Sequence, residues 1–265
     1  MSRLTIVKLG GSVITHKSES PPRVNIEAVS RISQELRTYN GRLVVVLGGG
    51  AHGHQAASQY GYGNISTPPT MLLAGIPLIR HNMTLLALQA EQALSENGRP
   101  AVVIPPFCIA RMQNGRILSF DSAIFTDILE TGSTIVTHGD VCMDTIRGAS
   151  ILSGDSIVTY LTQQLHPDNV LIGTDVDGVF ESDPHTNPSA RLIPVIDSSN
   201  KDQALAATGP SKNTDVTGGM EKKVLELLEL HNVPSRIIIF NLSVPDRLCS
   251  LLAGNSVPST RVIPD

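Results

Sequence analysis

Three glycine-rich segments of the sequence carry residue types that bind phosphate groups. Lys8–Ser12 and Gly48–His54 each follow a short apolar run, and Asp215–Lys223 opens a segment with helical periodicity. Glycines let backbone N–H groups approach an anion, a helix N-terminus attracts phosphate, and lysines add positive charge. Lysines occur in two of the three segments, although the chain has a net charge of −4. The pattern indicates a site for a chain of phosphates, which a phosphoryl-transfer enzyme must hold.

The second segment also matches a dinucleotide fingerprint, because Gly48, Gly50 and Gly53 fit G-x-G-x-x-G. A dinucleotide fold expects an acidic residue roughly 20 positions later to bind the ribose hydroxyls. No acidic residue occurs between Ala51 and Ala90, and the segment follows the second apolar run rather than the first. A dehydrogenase is therefore disfavoured, and a P-loop is excluded because the chain contains no Gly-Lys pair.

The composition of the chain is typical of a globular protein. The chain has 265 residues, of which 41% are hydrophobic and 17% charged, which suits one large or two small globular lobes. The acidic balance predicts no nucleic-acid partner, and the absence of an apolar run near ~20 residues predicts no membrane span. The N-terminus lacks the features of a signal peptide, and the three cysteines are scattered. We therefore expect a cytoplasmic protein with free thiols.

Short apolar runs alternate with helical patterns along the chain. The predicted strands are Leu4–Leu9, Leu43–Leu47, Ala101–Ile104, Thr134–Thr137, Val170–Gly173 and Arg236–Phe240, and the predicted helices are Asn25–Tyr39, Ile79–Asn97, Gly154–Leu165 and Thr217–Asn232. Gln113–Arg116 predicts a hairpin turn, and the segments 18–23, 64–70 and 198–214 are expected to be loops. This alternation predicts an α/β fold with a mostly parallel sheet that is covered on both faces.

Five motifs, in order along nearly the whole chain, resemble those of the amino acid kinase superfamily. They are K-x-G-G-S at Lys8–Ser12, G-G-G at Gly48–Gly50, S-G-D at Ser153–Asp155, T-D-V-D-G at Thr174–Gly178 and D-V-T-G-G-M-x-x-K at Asp215–Lys223. The continuation V-I-T-x-K to Lys17, the G-G-G-x-x-G-H segment and H-G-D at His138–Asp140 most resemble the isopentenyl phosphate kinases within that superfamily.

The resemblance implies a fold and a reaction. The fold would be an open three-layer α/β/α sandwich, a single domain over residues 1–265 that usually forms a homodimer. The reaction would be ATP-dependent phosphorylation of isopentenyl phosphate to isopentenyl diphosphate, with ATP and Mg²⁺ as cofactors. Residues from about 1 to 150 would bind the acceptor, a small prenyl phosphate, and residues from about 151 to 265 would bind the nucleotide.

The resemblance also implies roles for individual residues. Lys8 and Lys223 would clamp the transferring phosphate from two sides, with Lys17 near the same charges. The other residues implied at the nucleotide or its phosphates are Gly10, Gly11, Ser12, Gly50, Asp155, Thr174, Asp175, Asp177, Gly178 and Gly219. Gly49, Gly50, His54 and Gly139 would face the acceptor phosphate. No residue is expected to hold a resident metal ion, because His52-Gly53-His54 has no third ligand at a matching spacing.

A prenyl tail also needs an apolar groove beside the phosphate. Met83, Leu86 and Ala87, with Ala90, recur at i, i+3, i+4 and i+7 in a stretch rich in large aliphatic residues. This helix face could line the groove as well as close the core, although such a stripe is more often core alone.

Two alternatives remain open on the sequence alone. Ala51-His52 stands where the isopentenyl phosphate kinases usually have Ser-Phe, and Ala51 is the residue type of fosfomycin kinases, which act on a small phosphonate. A non-catalytic nucleotide-sensing domain is the other alternative. The presence of Lys8, Asp155 and Lys223 argues against it.

Overall fold

The computed structural model of the protein describes residues 2–16, 19–208 and 219–264. In these ranges the strands are β1 (Leu4–Leu9), β2 (Arg42–Leu47), β3 (Ala101–Val103), β4 (Ala110–Gln113), β5 (Arg116–Phe120), β6 (Thr134–His138), β7 (Asp140–Asp144), β8 (Gly148–Leu152), β9 (Asn169–Thr174), β10 (Val195–Ile196), β11 (Arg236–Asn241) and β12 (Ser259–Val262). The helices are α1 (Gly11–Ile14), α2 (Ile26–Arg37), α3 (Gly50–Gln59), α4 (Pro69–Glu96), α5 (Pro106–Ile109), α6 (Ala123–Glu130), α7 (Gly154–Leu165), α8 (Lys201–Thr208), α9 (Gly219–Leu228) and α10 (Arg247–Leu252).

The central sheet has the strand order β10-β12-β11-β9-β1-β2-β6-β3. Its pairs are parallel except β11 with β12, which confirms the prediction of a mostly parallel sheet. Strands β5, β4, β7 and β8 form a second, smaller sheet. The chain order reverses at β1, since it continues to β2 on one side and returns as β9 on the other. Ligands of open α/β sheets bind at such a point, beyond the carboxyl ends of the strands.

Helices cover both faces of the central sheet. Along β2, Leu43, Val45 and Leu47 pack on one face, in a core shared with α2, α3, α4 and α10. Val44 and Val46 point to the other face, where they pack with residues of α6, α7 and α9. Burial on both faces explains why the strands are continuous apolar runs. The arrangement confirms the three-layer α/β/α sandwich.

All six predicted strands occur, each within one residue of its expected bounds. Helix α7 has the predicted bounds, and Asn25 caps α2 by accepting a hydrogen bond from the Ala28 N–H. The predicted hairpin joins β4 and β5, with positive φ angles at Asn114 and Gly115. The prediction was wrong at segment 198–214, because α8 occupies part of this expected loop.

Helix α4 differs most from expectation, because it begins at Pro69 rather than at Ile79. It continues through Pro77, although a proline inside a helix removes a hydrogen bond and usually ends or kinks it. With 28 residues, α4 is also long and apolar enough to cross a membrane by length and composition, contrary to the expectation that no segment would be. Eight of its residues are buried, and it packs against α2, α3 and β8, as a core helix does.

Candidate active site

The glycine segments meet at the carboxyl ends of the central strands. A Cβ atom on Gly11 would collide with the backbone nitrogen of Gly50, so the turns after β1 and β2 touch backbone to backbone. A Cβ on Gly10 would lie 2.6 Å from the carbonyl oxygen of Gly173, at the end of β9. The turn after β1 is therefore packed between its two neighbours, and only glycine fits at these contacts.

The second glycine segment is the start of helix α3 rather than an open loop. Residues two positions apart in a helix point about 200° apart, so His52 and His54 face opposite sides. His54 lines the cleft described below, whereas His52 is only 3% exposed. Among the described residues the Nδ1 atom of His52 has no hydrogen-bond partner, and burial lowers the pKa of its imidazole. The two histidines do not form a metal pair.

A cleft with a volume of about 1150 Å³ opens where these turns meet. Fifteen of the residues that the sequence singled out line it: Lys8, Gly10, Gly11, Ser12, Gly49, Gly50, His54, Met83, Gly139, Asp155, Thr174, Asp175, Gly178, Gly219 and Lys223. The structure therefore brings most of the predicted site residues together in one cleft.

Four predicted site residues are not placed there. Lys17 lies outside the described residues, as do Asp215 to Gly218 of the third motif. Leu86 and Ala87 are fully buried in the core and do not line the cleft. Asp177 does not line it either, and its carboxylate accepts hydrogen bonds from Arg247 and Asn241.

One carboxylate joins the two predicted clamp lysines. Lys8 Nζ lies 2.6 Å from Asp155 Oδ2, and Lys223 Nζ lies 2.7 Å from Asp155 Oδ1. The lysines hold the pKa of Asp155 well below its usual range, despite its burial. Burial lowers the pKa of Lys8 to about 8, and repulsion from Lys223 acts in the same direction, against the attraction of Asp155. Two ammonium groups therefore share one carboxylate in this site.

Helix α7 carries Asp155 in its first turn and points its N-terminus at the cleft. Ser153 caps the helix, since its Oγ atom accepts a hydrogen bond from the Ser156 N–H at 3.0 Å. Gly154 allows a close approach, because a Cβ there would lie 3.2 Å from the Leu47 carbonyl oxygen and 3.4 Å from Cε of Lys8. The positive end of the helix dipole adds to the charge of the lysines. The arrangement can bind and align phosphate groups.

Part of the cleft lining is apolar. Ile79 and Met83 of α4 face the cleft, together with Ile151 and Leu152 of β8. Asp140 also lines the cleft.

Arg80 of α4 forms a salt bridge with Asp140. The Arg80 guanidinium also stacks over the Phe107 ring at 5.3 Å, and burial raises the pKa of Asp140. Sequence reasoning missed this ion pair, since sixty positions separate its partners.

Comparisons with known proteins agree with the geometry. The amino acid kinase family matches residues 3–241. Isopentenyl phosphate kinase of Methanothermobacter thermautotrophicus is 36% identical over 98% of both chains, and that of Thermoplasma acidophilum is 30% identical over 92% of this chain and 94% of its own. A crystal structure described as isopentenyl phosphate kinase superposes with a TM-score of 0.86 at 32% identity, and covers 98% of this chain and all of its own.

Solved UMP kinases and aspartate kinases share the fold at 15–17% identity, with TM-scores of 0.64–0.67. Such likeness extends to the architecture alone. The family match and the isopentenyl phosphate kinases span most of the chain at higher identity, including the segments that form the cleft. The chain therefore belongs to the amino acid kinase family, within its isopentenyl phosphate kinase branch.

Proposed function

We propose that the protein transfers the γ-phosphate of ATP to isopentenyl phosphate and releases isopentenyl diphosphate. The observation that carries this proposal is the Lys8–Asp155–Lys223 arrangement, which lies in a cleft that glycine turns and aliphatic side chains also line. The full-length relatives named as isopentenyl phosphate kinases support the same reaction.

The chemistry requires no general base. A phosphate monoester has a second pKa near 6, so the acceptor is largely deprotonated at neutral pH. Its oxygen must be aligned with the γ-phosphorus, and the negative charge of both phosphates must be neutralised. Lys8 and Lys223 supply positive charge from two sides, and the backbone N–H groups of the glycine turns supply hydrogen bonds.

The two halves of the chain divide the substrates in this proposal. His54, Gly49 and Gly139 bind the acceptor phosphate, and Ile79 and Met83 contact the prenyl tail. Residues of the segment after β9, including Thr174, Asp175 and Gly178, bind the nucleotide. All of these residues line the same cleft, so that both substrates can meet there.

Mg²⁺ fits this site as a partner of ATP rather than as a resident ion. Among the described residues no group of three His, Cys, Asp or Glu side chains is arranged to hold a metal. Mg²⁺ in kinases commonly keeps several waters and binds substrate phosphates with one or two carboxylates. Asp175 lines the cleft and is the carboxylate that we propose for this contact. The ion would neutralise phosphate charge during transfer.

The experiment that tests the function is ADP release with a panel of acceptors. The panel contains isopentenyl phosphate, dimethylallyl phosphate, fosfomycin, N-acetylglutamate, glutamate, aspartate, carbamate and UMP. We expect the highest kcat/KM with isopentenyl phosphate and at least about 100-fold less activity in Lys8→Ala and Lys223→Ala, since each loses a cation that faces developing charge. Lys222→Ala is the matched control, because Lys222 is half exposed and pairs with Glu226.

Each other outcome of the panel identifies a different function. A preference for fosfomycin would replace the proposal with phosphoryl transfer to a phosphonate acceptor, which only Ala51 favours. ATP binding without transfer to any acceptor would indicate a nucleotide-sensing domain. We also propose that the protein is a cytoplasmic homodimer.

A further inference from the structure

Helix α9 carries Lys223, and polar contacts join it to α7 at two points. The first is the ion pair between Lys223 and Asp155 within the cleft. The second lies one helical turn later, where the Ser156 hydroxyl donates a hydrogen bond to Glu226 Oε1 at 3.0 Å. Positions 223 and 226 are three residues apart and therefore lie on one face of α9. Positions 155 and 156 are adjacent in the first turn of α7.

A chain of hydroxyl groups connects Glu226 to the wall of the cleft. Ser156 Oγ lies 2.8 Å from Ser153 Oγ, and Ser153 Oγ accepts the Ser156 N–H. Ser153 caps α7 and lines the cleft beside Asp155. With the Ser156 hydroxyl directed to Glu226, the Ser153 hydroxyl donates to Ser156, so the hydrogen bonds run in one direction and strengthen each other.

The position of Glu226 is costly for the folded protein, which argues that it serves a purpose. Its side chain is 17% exposed, and among the described residues its Oε2 atom is buried without a hydrogen-bond partner. A buried acceptor without a partner costs about 1–3 kcal/mol. Lys222 approaches Oε1 at 3.7 Å, but its side chain is 50% exposed and offsets little of that cost.

Apolar packing alone leaves α9 free to rotate slightly about its axis. Val224 and Leu227 of α9 belong to the same buried aliphatic cluster as Ile157 and Leu161 of α7, and aliphatic packing is not directional. A hydrogen bond one turn from Lys223 fixes this rotation. A lysine that faces a transferring phosphate is sensitive to displacement, because a misplacement of about 1 Å can cost on the order of 100-fold in rate.

We propose that Ser156 and Glu226 are positioning residues for phosphoryl transfer, which hold α9 in the rotation that places Lys223 opposite Lys8 across Asp155. The inference deepens the proposed function, because it concerns the residues that hold the clamp. It requires the reaction to be a phosphoryl transfer at this cleft, but it does not depend on which acceptor is used.

The test compares Glu226→Ala, Ser156→Ala, the double variant and Glu226→Gln, with Leu225→Ala as the control, because Leu225 is an exposed side chain on the same helix. Glu226→Ala and Ser156→Ala should each lower kcat by about 10- to 100-fold, while the KM values for ATP and acceptor change less than about twofold. The double variant should be no slower than the slower single variant, since both remove one interaction. Glu226→Gln retains an oxygen that accepts the Ser156 hydroxyl, so it should restore at least half of the wild-type kcat. Leu225→Ala should match the wild type.

The acceptor in these assays is the best one found in the panel, so a failure of isopentenyl phosphate overturns the proposed function and leaves this test intact. Wild-type kcat in both alanine variants would overturn the inference. Losses in Glu226→Ala and Ser156→Ala that multiply in the double variant would also overturn it, as would a Glu226→Gln variant as slow as Glu226→Ala. Thermal unfolding of each variant is measured in parallel, and a fall in kcat that follows the unfolded fraction at the assay temperature would show a merely structural role.

Discussion

Lys8 combines two properties that oppose each other in most proteins, namely burial and positive charge. Only 8% of its side chain is exposed, and a buried ammonium group loses the hydration that stabilises its charge. Asp155 compensates part of this loss, but its carboxylate also forms a salt bridge with Lys223. The lysine is therefore less stably protonated than a lysine in water. In the proposed function, the substrate phosphates add negative charge next to it.

The pH dependence of activity follows from this burial. Lys8 is fully protonated well below its pKa of about 8, and it loses its proton as the pH rises through that value. Since kcat/KM reports the free enzyme, kcat/KM for ATP should fall above pH about 8. Rate measurements from pH 6 to about 10 test this, with Lys222→Ala expected to give the same profile as the wild type. A profile that stays flat up to pH 10 would contradict the assignment of a buried, charged Lys8.

His54 is expected to act on the acceptor and not on ATP. It lines the cleft from the first turns of α3, which we assign to the acceptor phosphate. His54→Ala should raise the KM for isopentenyl phosphate by about 10-fold or more, or abolish its use as an acceptor. The Kd for an ATP analogue should stay within about twofold of the wild-type value. Calorimetry measures the Kd for the ATP analogue, and steady-state kinetics measure the KM for the acceptor. Weaker ATP binding with an unchanged acceptor KM would place His54 on the nucleotide side instead.

At the scale of elements, α4 presents different residues to the core and to the cleft. Met83 does both, since its sulfur would lie 3.3 Å from a Cβ on Gly53 and 3.8 Å from one on Gly49. Leu86, three positions later, is fully buried and does not line the cleft. Met83 therefore lines the cleft, whereas Leu86 and Ala87 pack only in the core. The periodicity of the sequence does not distinguish these two roles.

This division predicts different effects of two alanine variants. Met83→Ala should enlarge the acceptor wall and raise the kcat/KM ratio of geranyl phosphate to isopentenyl phosphate, because a pocket change of a methylene or two shifts binding by roughly 1–3 kcal/mol. Leu86→Ala should lower the free energy of unfolding by about 2–5 kcal/mol and leave that ratio unchanged. Kinetics with both acceptors and thermal unfolding separate the outcomes. Equal ratios in the two variants would show that the prenyl tail lies elsewhere.

The elements most easily predicted were those whose sequence carries a local signal. The central strands are buried on both faces and end in glycine turns, so continuous apolar runs marked them within one residue. Helix α3 had no such signal, since it begins with glycines that normally weaken a helix, and in α4 Pro77 obscured continuity.

Among site residues, the glycines and lysines were recognisable from their motifs. Arg80 with Asp140 and Ser156 with Glu226 were not, because sixty and seventy positions separate them and only the folded chain brings them together. The carboxylate of Asp177 was assigned to the nucleotide from its motif, but in the structure it anchors Arg247 and Asn241.

At the scale of the whole molecule, α4 leaves an apolar seam exposed. Met71, Leu78 and Leu85 recur every seven residues, Leu88 continues the row, and their exposed fractions range from 36% to 49%. A row with this spacing lies along one side of a helix, and it faces away from the buried residues Ile79, Met83 and Leu86. Exposed apolar patches of this kind mark interaction surfaces more often than chance, and a second copy of the chain is the partner that we propose.

The seam predicts the effect of charge on assembly. Wild-type protein should have a mass in solution of twice the 28.3 kDa of one chain, and the double variant Leu85→Glu, Leu88→Glu should have the mass of one chain. Two carboxylates buried at the centre of an apolar contact would each lose hydration without gaining a partner. The free-energy cost of this burial outweighs the stabilisation that the apolar contact provides. Light scattering coupled to gel filtration measures both masses. Leu225→Glu is the control, because Leu225 is an exposed leucine on α9, away from the seam, and it should leave the mass unchanged. A wild-type protein that stays monomeric at all concentrations, or a double variant that stays dimeric, would exclude α4 as the dimer contact.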